Sequence, residues 1–232
     1  YGAMYVSNYT GLILTQLISI LKGSPVTNTM LEVATSSNLW VNLFIMVLCA
    51  PVAEELIFRK LLIDRLAQYG EGVAVLFSGL MFGLFHGNLN QFVYAFVLGL
   101  CFGFIYVKTG NIRYTIGLHM LVNFLGSVLG VAILKWLGDD FLSIASDPAG
   151  MMSYMTGNFG KLIVYFIYIF LLLGVAIAGI ILFIVNLKKI RFLPGMNTLP
   201  KRKTLFPQTV LNVGMALYMI VWIVIIIVQL LQ

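Results

Sequence analysis

The sequence predicts an all-α, polytopic transmembrane helix bundle around a buried polar catalytic pocket, and three observations predict it. Of 232 residues, 61% are hydrophobic and only 9% charged, against roughly 25% charged in soluble domains; mean hydropathy is +1.02. The apolar residues fall in long runs rather than short alternating ones. Inside those runs sit two adjacent glutamates, Glu54 and Glu55, and the chain's only two histidines, His86 and His119. Ionisable groups at membrane depth are expensive and face a cavity or a partner, so they mark a candidate site.

A spanning helix needs roughly 20 apolar residues at about 1.5 Å each to cross a hydrocarbon core of about 30 Å. The runs that qualify are 39–59, 73–87, 92–108, 115–137, 162–187 and 210–231. A weaker run, 11–21, is expected to be the remnant of a longer helix. Helices are the spanning form, because every backbone polar group must be satisfied within the bilayer and no alternating strand pattern supports a barrel. The chain starts at Tyr1 rather than methionine, and no basic segment with a small-residue cleavage site reads as a signal peptide. The whole of 1–232 reads as one membrane domain, with its motif-bearing core at about 39–137.

Six of the fourteen basic residues, Lys188, Lys189, Arg191, Lys201, Arg202 and Lys203, fall between the last two spans. This is the signature of a cytoplasmic loop under the positive-inside rule, not of a nucleic-acid surface. Counting back, residues 108–113 are also cytoplasmic, and the loop with Asp139, Asp140 and Asp147 lies outside. Cys49 and Cys101 lack metal or redox spacing and read as small core hydrophobes.

Glu55 and Arg59 are four apart on one helix face and can pair; His119 and Asn123 share a face in the same way. Each has a bland explanation, an inert ion pair or interhelical glue. Depth favours a site. The helix bearing Glu54 continues through Arg65 to Tyr69 and turns at 70–72. Glu55 precedes Glu71 by sixteen residues, His86 follows it by fifteen, and Asn123 lies thirteen past Gly110. At 1.5 Å per residue all three are roughly 20–24 Å from their turns, with His119 a turn shallower. The expectation is one polar pocket opening toward those turns, with Lys60, Asp64 and Arg65 either lining it or projecting from the membrane.

Carboxylates and imidazoles in such a pocket suit hydrolysis, because they can take a proton from water and stabilise an oxyanion. Glu55, His86 and His119 could alternatively hold zinc, which lowers the pKa of bound water to about 7. There is no HExxH, no G-x-S-x-G around Ser78 and no P-loop. Asn88, Asn90 and Gln91 fit a pocket lining or a polar interhelical turn. Gly79, Gly83 and Gly87 form a small-residue stripe suited to packing within the fold. Oligomeric state is not legible.

Taken in order, Glu54-Glu55-x-x-x-Arg59, Phe82-x-x-x-His86 and His119-x-x-x-Asn123, each in a membrane-type helix, resemble the CAAX protease and bacteriocin-processing (CPBP, or Abi) family of intramembrane endopeptidases. The resemblance implies that Glu54 with His86 activates water, that His119 and Asn123 stabilise the oxyanion, and that Glu55 and Arg59 orient the site. It implies a membrane-associated protein or peptide as substrate and either a zinc-dependent or a metal-free glutamate mechanism; the short basic loops and compact length read as those of a bacterial plasma-membrane protein. A proton- or ion-coupled transporter and a non-catalytic immunity or scaffold protein on the same fold are the rival classes.

Overall fold

The computed structural model describes residues 1–138, 141–196 and 212–231. Among them every regular element is a helix: α1 (Gly2–Lys22), α2 (Thr29–Ser36), α3 (Leu39–Tyr69), α4 (Glu71–Phe85), α5 (Leu89–Thr109), α6 (Ile112–Leu137), α7 (Phe141–Ala145), α8 (Pro148–Lys189) and α9 (Val213–Leu231). Six of these, α1, α3, α5, α6, α8 and α9, are long and apolar enough to cross a membrane; α4 is a shorter apolar helix. Asp139, Asp140, Lys201, Arg202, Lys203 and Val210 lie outside the described residues.

The first run is longer than expected: α1 is a complete helix of 21 residues, not a remnant. Its polar positions lowered the hydropathy without interrupting the helix, because Ser7, Thr15 and Ser19 donate to carbonyls of the preceding turn at 2.7–3.0 Å. This internal satisfaction is what hydrocarbon demands. The fifth run also extends. Asp147 caps α8 by accepting from the Ala149 and Gly150 N–H groups, and the helix kinks at Asn158, whose φ and ψ are −129° and 26°.

Turns are set by glycine where the chain needs a left-handed step. Gly110 ends α5 with φ of 64°, and Asn111 then caps α6 by accepting from the Arg113 N–H at 3.0 Å. Between α4 and α5 the packing is close enough that side chains are excluded. A Cβ on Gly99 would lie 2.8 Å from the Gly79 Cα, and one on Gly83 would lie 3.1 Å from the Phe92 carbonyl oxygen. Gly87 instead faces Ile225 and Trp222 of α9. The glycine stripe therefore packs within the chain, the small-residue mode of membrane helices.

Cys49 is exposed and Cys101 half-buried, so neither is a core residue. Lipid is as apolar as a protein interior, so a small apolar side chain gains nothing by facing inward.

At the end where α3 turns into α4, Ile190–Met196 folds back onto the hairpin. The Glu71 N–H donates to the Leu193 carbonyl at 3.1 Å, and the Glu71 carboxylate accepts from the Leu193 N–H at 2.8 Å while pairing with Lys108. Lys188, Lys189 and Arg191 therefore share this end with Arg65, Lys108 and Arg113.

Candidate active site

Three stretches of widened, i→i+5 helix interrupt the helices around the site: Asn42–Cys49 and Leu56–Ile63 in α3, and Phe124–Gly130 in α6. The first two bracket the ordinary turn Ala50–Glu55 that carries both glutamates. Such π turns concentrate at functional sites because they re-aim side chains without breaking the helix.

Glu55 and Arg59 are both fully buried. Arg59 Nε lies 3.0 Å from Glu55 Oε2 as an ion pair, and Arg59 Nη2 donates to Glu55 Oε1 at 3.3 Å. The guanidinium is held from the other side by α4: Nη1 donates to Ser78 Oγ at 2.8 Å, and Ser78 in turn donates to the Phe58 carbonyl at 2.7 Å. It lies over the Phe82 ring at 4.8 Å and near that of Phe102 at 5.9 Å. Aromatic faces suit a cation that cannot be hydrated.

His119 joins the two carboxylates. Its Nδ1 donates to Glu55 Oε1 at 3.1 Å, and its Nε2 lies 3.6 Å from Glu54 Oε2. Its ring is held between Phe82 and Phe102, with centroids 5.6 and 5.5 Å away. His86 Nδ1 lies 2.8 Å from the Phe82 carbonyl oxygen. A carbonyl only accepts, so Nδ1 carries the proton, and in the neutral ring that leaves the lone pair on Nε2.

Glu54, His86, His119 and Asn123 line one cavity of about 580 Å³, whereas Glu55 and Arg59 stand behind it. Glu54 Oε2 is buried without a hydrogen-bond partner, although the side chain is 18% exposed where Glu55 is at 0%. Asn90 and Gln91 also line the cavity. Asn88 caps α5, accepting from the Gln91 N–H at 2.7 Å.

Two expectations from depth are corrected. His119 is not a turn shallower than Glu55 but in contact with it, and Asn123 lies beyond their level, donating to the Met46 carbonyl at 2.8 Å. One reason is that the i→i+5 turns of Leu56–Ile63 pack more residues per unit length, so 1.5 Å per residue overstates that segment. The cavity also extends away from the turns at 70 and 110, not toward them. Its α3 lining runs from Glu54 back to Ile45, its α6 lining from His119 on to Val131, and Asn28–Ala34 closes its far side. Lys60 and Asp64 do not line it; they pair on the outside at 2.7 Å with 57% and 42% of their side chains exposed.

The zinc set Glu55, His86 and His119 does not fit. A ligand must offer a lone pair at about 2.0–2.2 Å, and Glu55 directs its oxygens at Arg59 and the His119 N–H. Among the described residues no three His, Cys, Asp or Glu side chains group as a metal site would require. The arrangement instead suits proton transfer. Two carboxylates and an imidazole stand in contact there, groups that can take up and release a proton.

Ser78 and Phe102 were not foreseen as parts of the site. Ser78, Phe82 and His86 do sit at i, i+4 and i+8, the one signal that could have placed Ser78 on the site face of α4.

Fold and site thus define a polytopic helical membrane protein built around a buried glutamate–arginine–histidine cluster. Residues 36–125, which contain all three motifs, match the family described as Type II CAAX prenyl endopeptidase Rce1-like. The chain is 27% identical over 122 residues to YdiL of Bacillus subtilis (strain 168), by its name a presumptive membrane peptidase, covering 52% of this chain and 49% of that one. It is 26% identical over 151 residues to the membrane-embedded CAAX protease MroQ of Staphylococcus aureus (strain USA300), covering 62% and 58%. The chain spans about half the length of the curated relatives it matches. No solved structure matches. The CAAX protease family resemblance carried by the three motifs is borne out.

Proposed function

We propose that this protein is an intramembrane endopeptidase that hydrolyses a peptide bond of a membrane-associated protein or peptide. The observation that carries the proposal is the division of labour between the adjacent glutamates. Glu54 lines the cavity with His86 and His119, its side chain 18% exposed and its Oε2 bound by no hydrogen bond, while Glu55 is consumed in holding Arg59 and His119. In this reading Glu54 is the general base, assisted by the lone pair of His86 Nε2. Water that loses its proton to Glu54 attacks the scissile carbonyl, and His119, held by Glu55, carries a proton to the developing oxyanion or the leaving amine. A cavity of about 580 Å³ lies in the range of small-molecule and cofactor sites, roughly 300–1,000 Å³, room for a short peptide segment.

The metal-free route is the one the donor set supports. Purified protein in bilayers is expected to cleave members of a panel of membrane-anchored peptides at a rate unchanged by a strong chelator. Cleavage that stops with chelator and returns with zinc would overturn the metal-free route while leaving the protease reading intact. Absence of cleavage, together with ion flux through the same liposomes, would replace the protease with a transporter.

We further propose a bacterial plasma-membrane location, supported by the relatives' organisms, with the basic end in the cytoplasm. The cavity then faces the opposite half of the bilayer. In a variant lacking Cys49 and Cys101, a membrane-impermeant thiol reagent added to intact cells should label Met30→Cys. Lys188→Cys should react only after permeabilisation. The reverse pattern would invert the orientation.

A further inference from the structure

Pro51 lies three residues before Glu54, at the point where the first π stretch of α3 ends. That stretch carries i→i+5 bonds, and the last of them runs from the Ala50 N–H to the Ile45 carbonyl. The next bond in the series would run from residue 51 to the Met46 carbonyl. Proline has no N–H, so the series stops there and the Met46 carbonyl loses its donor. An orphaned carbonyl inside a membrane protein is costly.

Asn123 supplies the missing donor. Its Nδ2 lies 2.8 Å from the Met46 oxygen, and the acceptor nature of a carbonyl fixes which end of the amide faces it. The same seam is stitched again one turn on. The Ser127 hydroxyl donates to the Asn123 carbonyl at 2.7 Å, and the fully buried Asn42 donates to the Ser127 and Ala34 carbonyls at 3.0 and 2.8 Å. Of these, the Asn123–Met46 and Asn42–Ser127 bonds tie the π stretch of α3 to α6, just beyond the helical turns that carry Glu54 and His119.

We infer that Asn123 is a positioning residue: one N–H of its amide replaces the N–H that Pro51 lacks and so holds the Glu54–His119 spacing. This rests on the protease reading and adds to the role that the family resemblance implies for Asn123. It explains why a proline stands so close to the glutamates: Pro51 leaves α3 an acceptor that only a neighbouring helix can satisfy.

The test is a double-mutant cycle in the membrane-peptide cleavage assay, with thermal unfolding of each variant measured in the same detergent. Asn123→Ala should lower kcat on the order of 10²-fold, the scale of a misplacement of about 1 Å. In a Pro51→Ala background residue 51 has an N–H to offer, so adding Asn123→Ala should cost far less kcat and a smaller fall in melting temperature. An equal loss of kcat in both backgrounds would overturn the inference. Should Pro51→Ala alone depress cleavage, the melting-temperature cycle decides: coupling between the two positions supports the strut, and strict additivity removes it. Glu54→Gln is the control for the underlying reading. If that variant still cleaves, the protease assignment of Glu54 fails, while the stability cycle stands independently.

Discussion

Glu54→Gln should abolish peptide cleavage, lowering kcat by about 10²–10⁴-fold, the range that a positioned general base contributes. The side chain keeps its size, and it gives up a carboxylate oxygen that accepts no hydrogen bond in the structure, so folding should be little disturbed. Melting temperature in detergent should therefore stay close to that of the unaltered protein while turnover disappears. The contrast with Glu55 sharpens the expectation. Glu55→Gln would also lose activity, but with a clear loss of stability, because both Arg59 and His119 depend on it. If the two substitutions gave the same profile, or if Glu55→Gln alone were silent in turnover, the assignment of base and support would be wrong.

Arg59→Met should be the most destabilising single change around the site. The guanidinium is fully buried, pairs with Glu55, donates to Ser78 and packs on Phe82. Removing it leaves a buried carboxylate without its cation, and breaking a buried pair from one side costs about 3–5 kcal/mol. Replacing both members, Arg59→Met with Glu55→Leu, should recover much of that stability, since desolvation of the pair offsets most of its mutual attraction. Activity should not return, because His119 would lack the carboxylate that orients its ring. Equilibrium unfolding of the single and double variants in mild detergent checks this. A double variant no more stable than Arg59→Met would show that Glu55 is not left uncompensated.

Much of this was legible before any fold was known. The runs of apolar residues gave the spans apart from 73–87, whose helix α4 is too short to count as one, because crossing hydrocarbon imposes a length and a composition that few other constraints imitate. The four-residue spacings Glu55/Arg59 and His119/Asn123 marked shared helix faces, and the hairpin turn at 70–72 put Glu55 and His86 at matched depth. What failed failed for physical reasons. α1 was cut short because its Ser and Thr hydroxyls, satisfied by their own helix, look polar to a hydropathy count. The levels of His119 and Asn123 were misjudged because nothing in a list of residue types announces i→i+5 turns.

The sequence by itself determined that a few ionisable side chains lie in apolar helices, so they had to converge on one another or on a cavity, since hydrocarbon offers them no other partner. The tertiary structure alone decided which glutamate faces that cavity. Neighbouring residues on a helix point about 100° apart, and nothing local distinguishes Glu54 from Glu55. Only the placement of Ser78 on α4 and His119 on α6 turns Glu55 and Arg59 inward and leaves Glu54 open. The direction in which the cavity opens was settled in the same way, by which halves of α3, α5 and α6 stand apart once the other halves are packed.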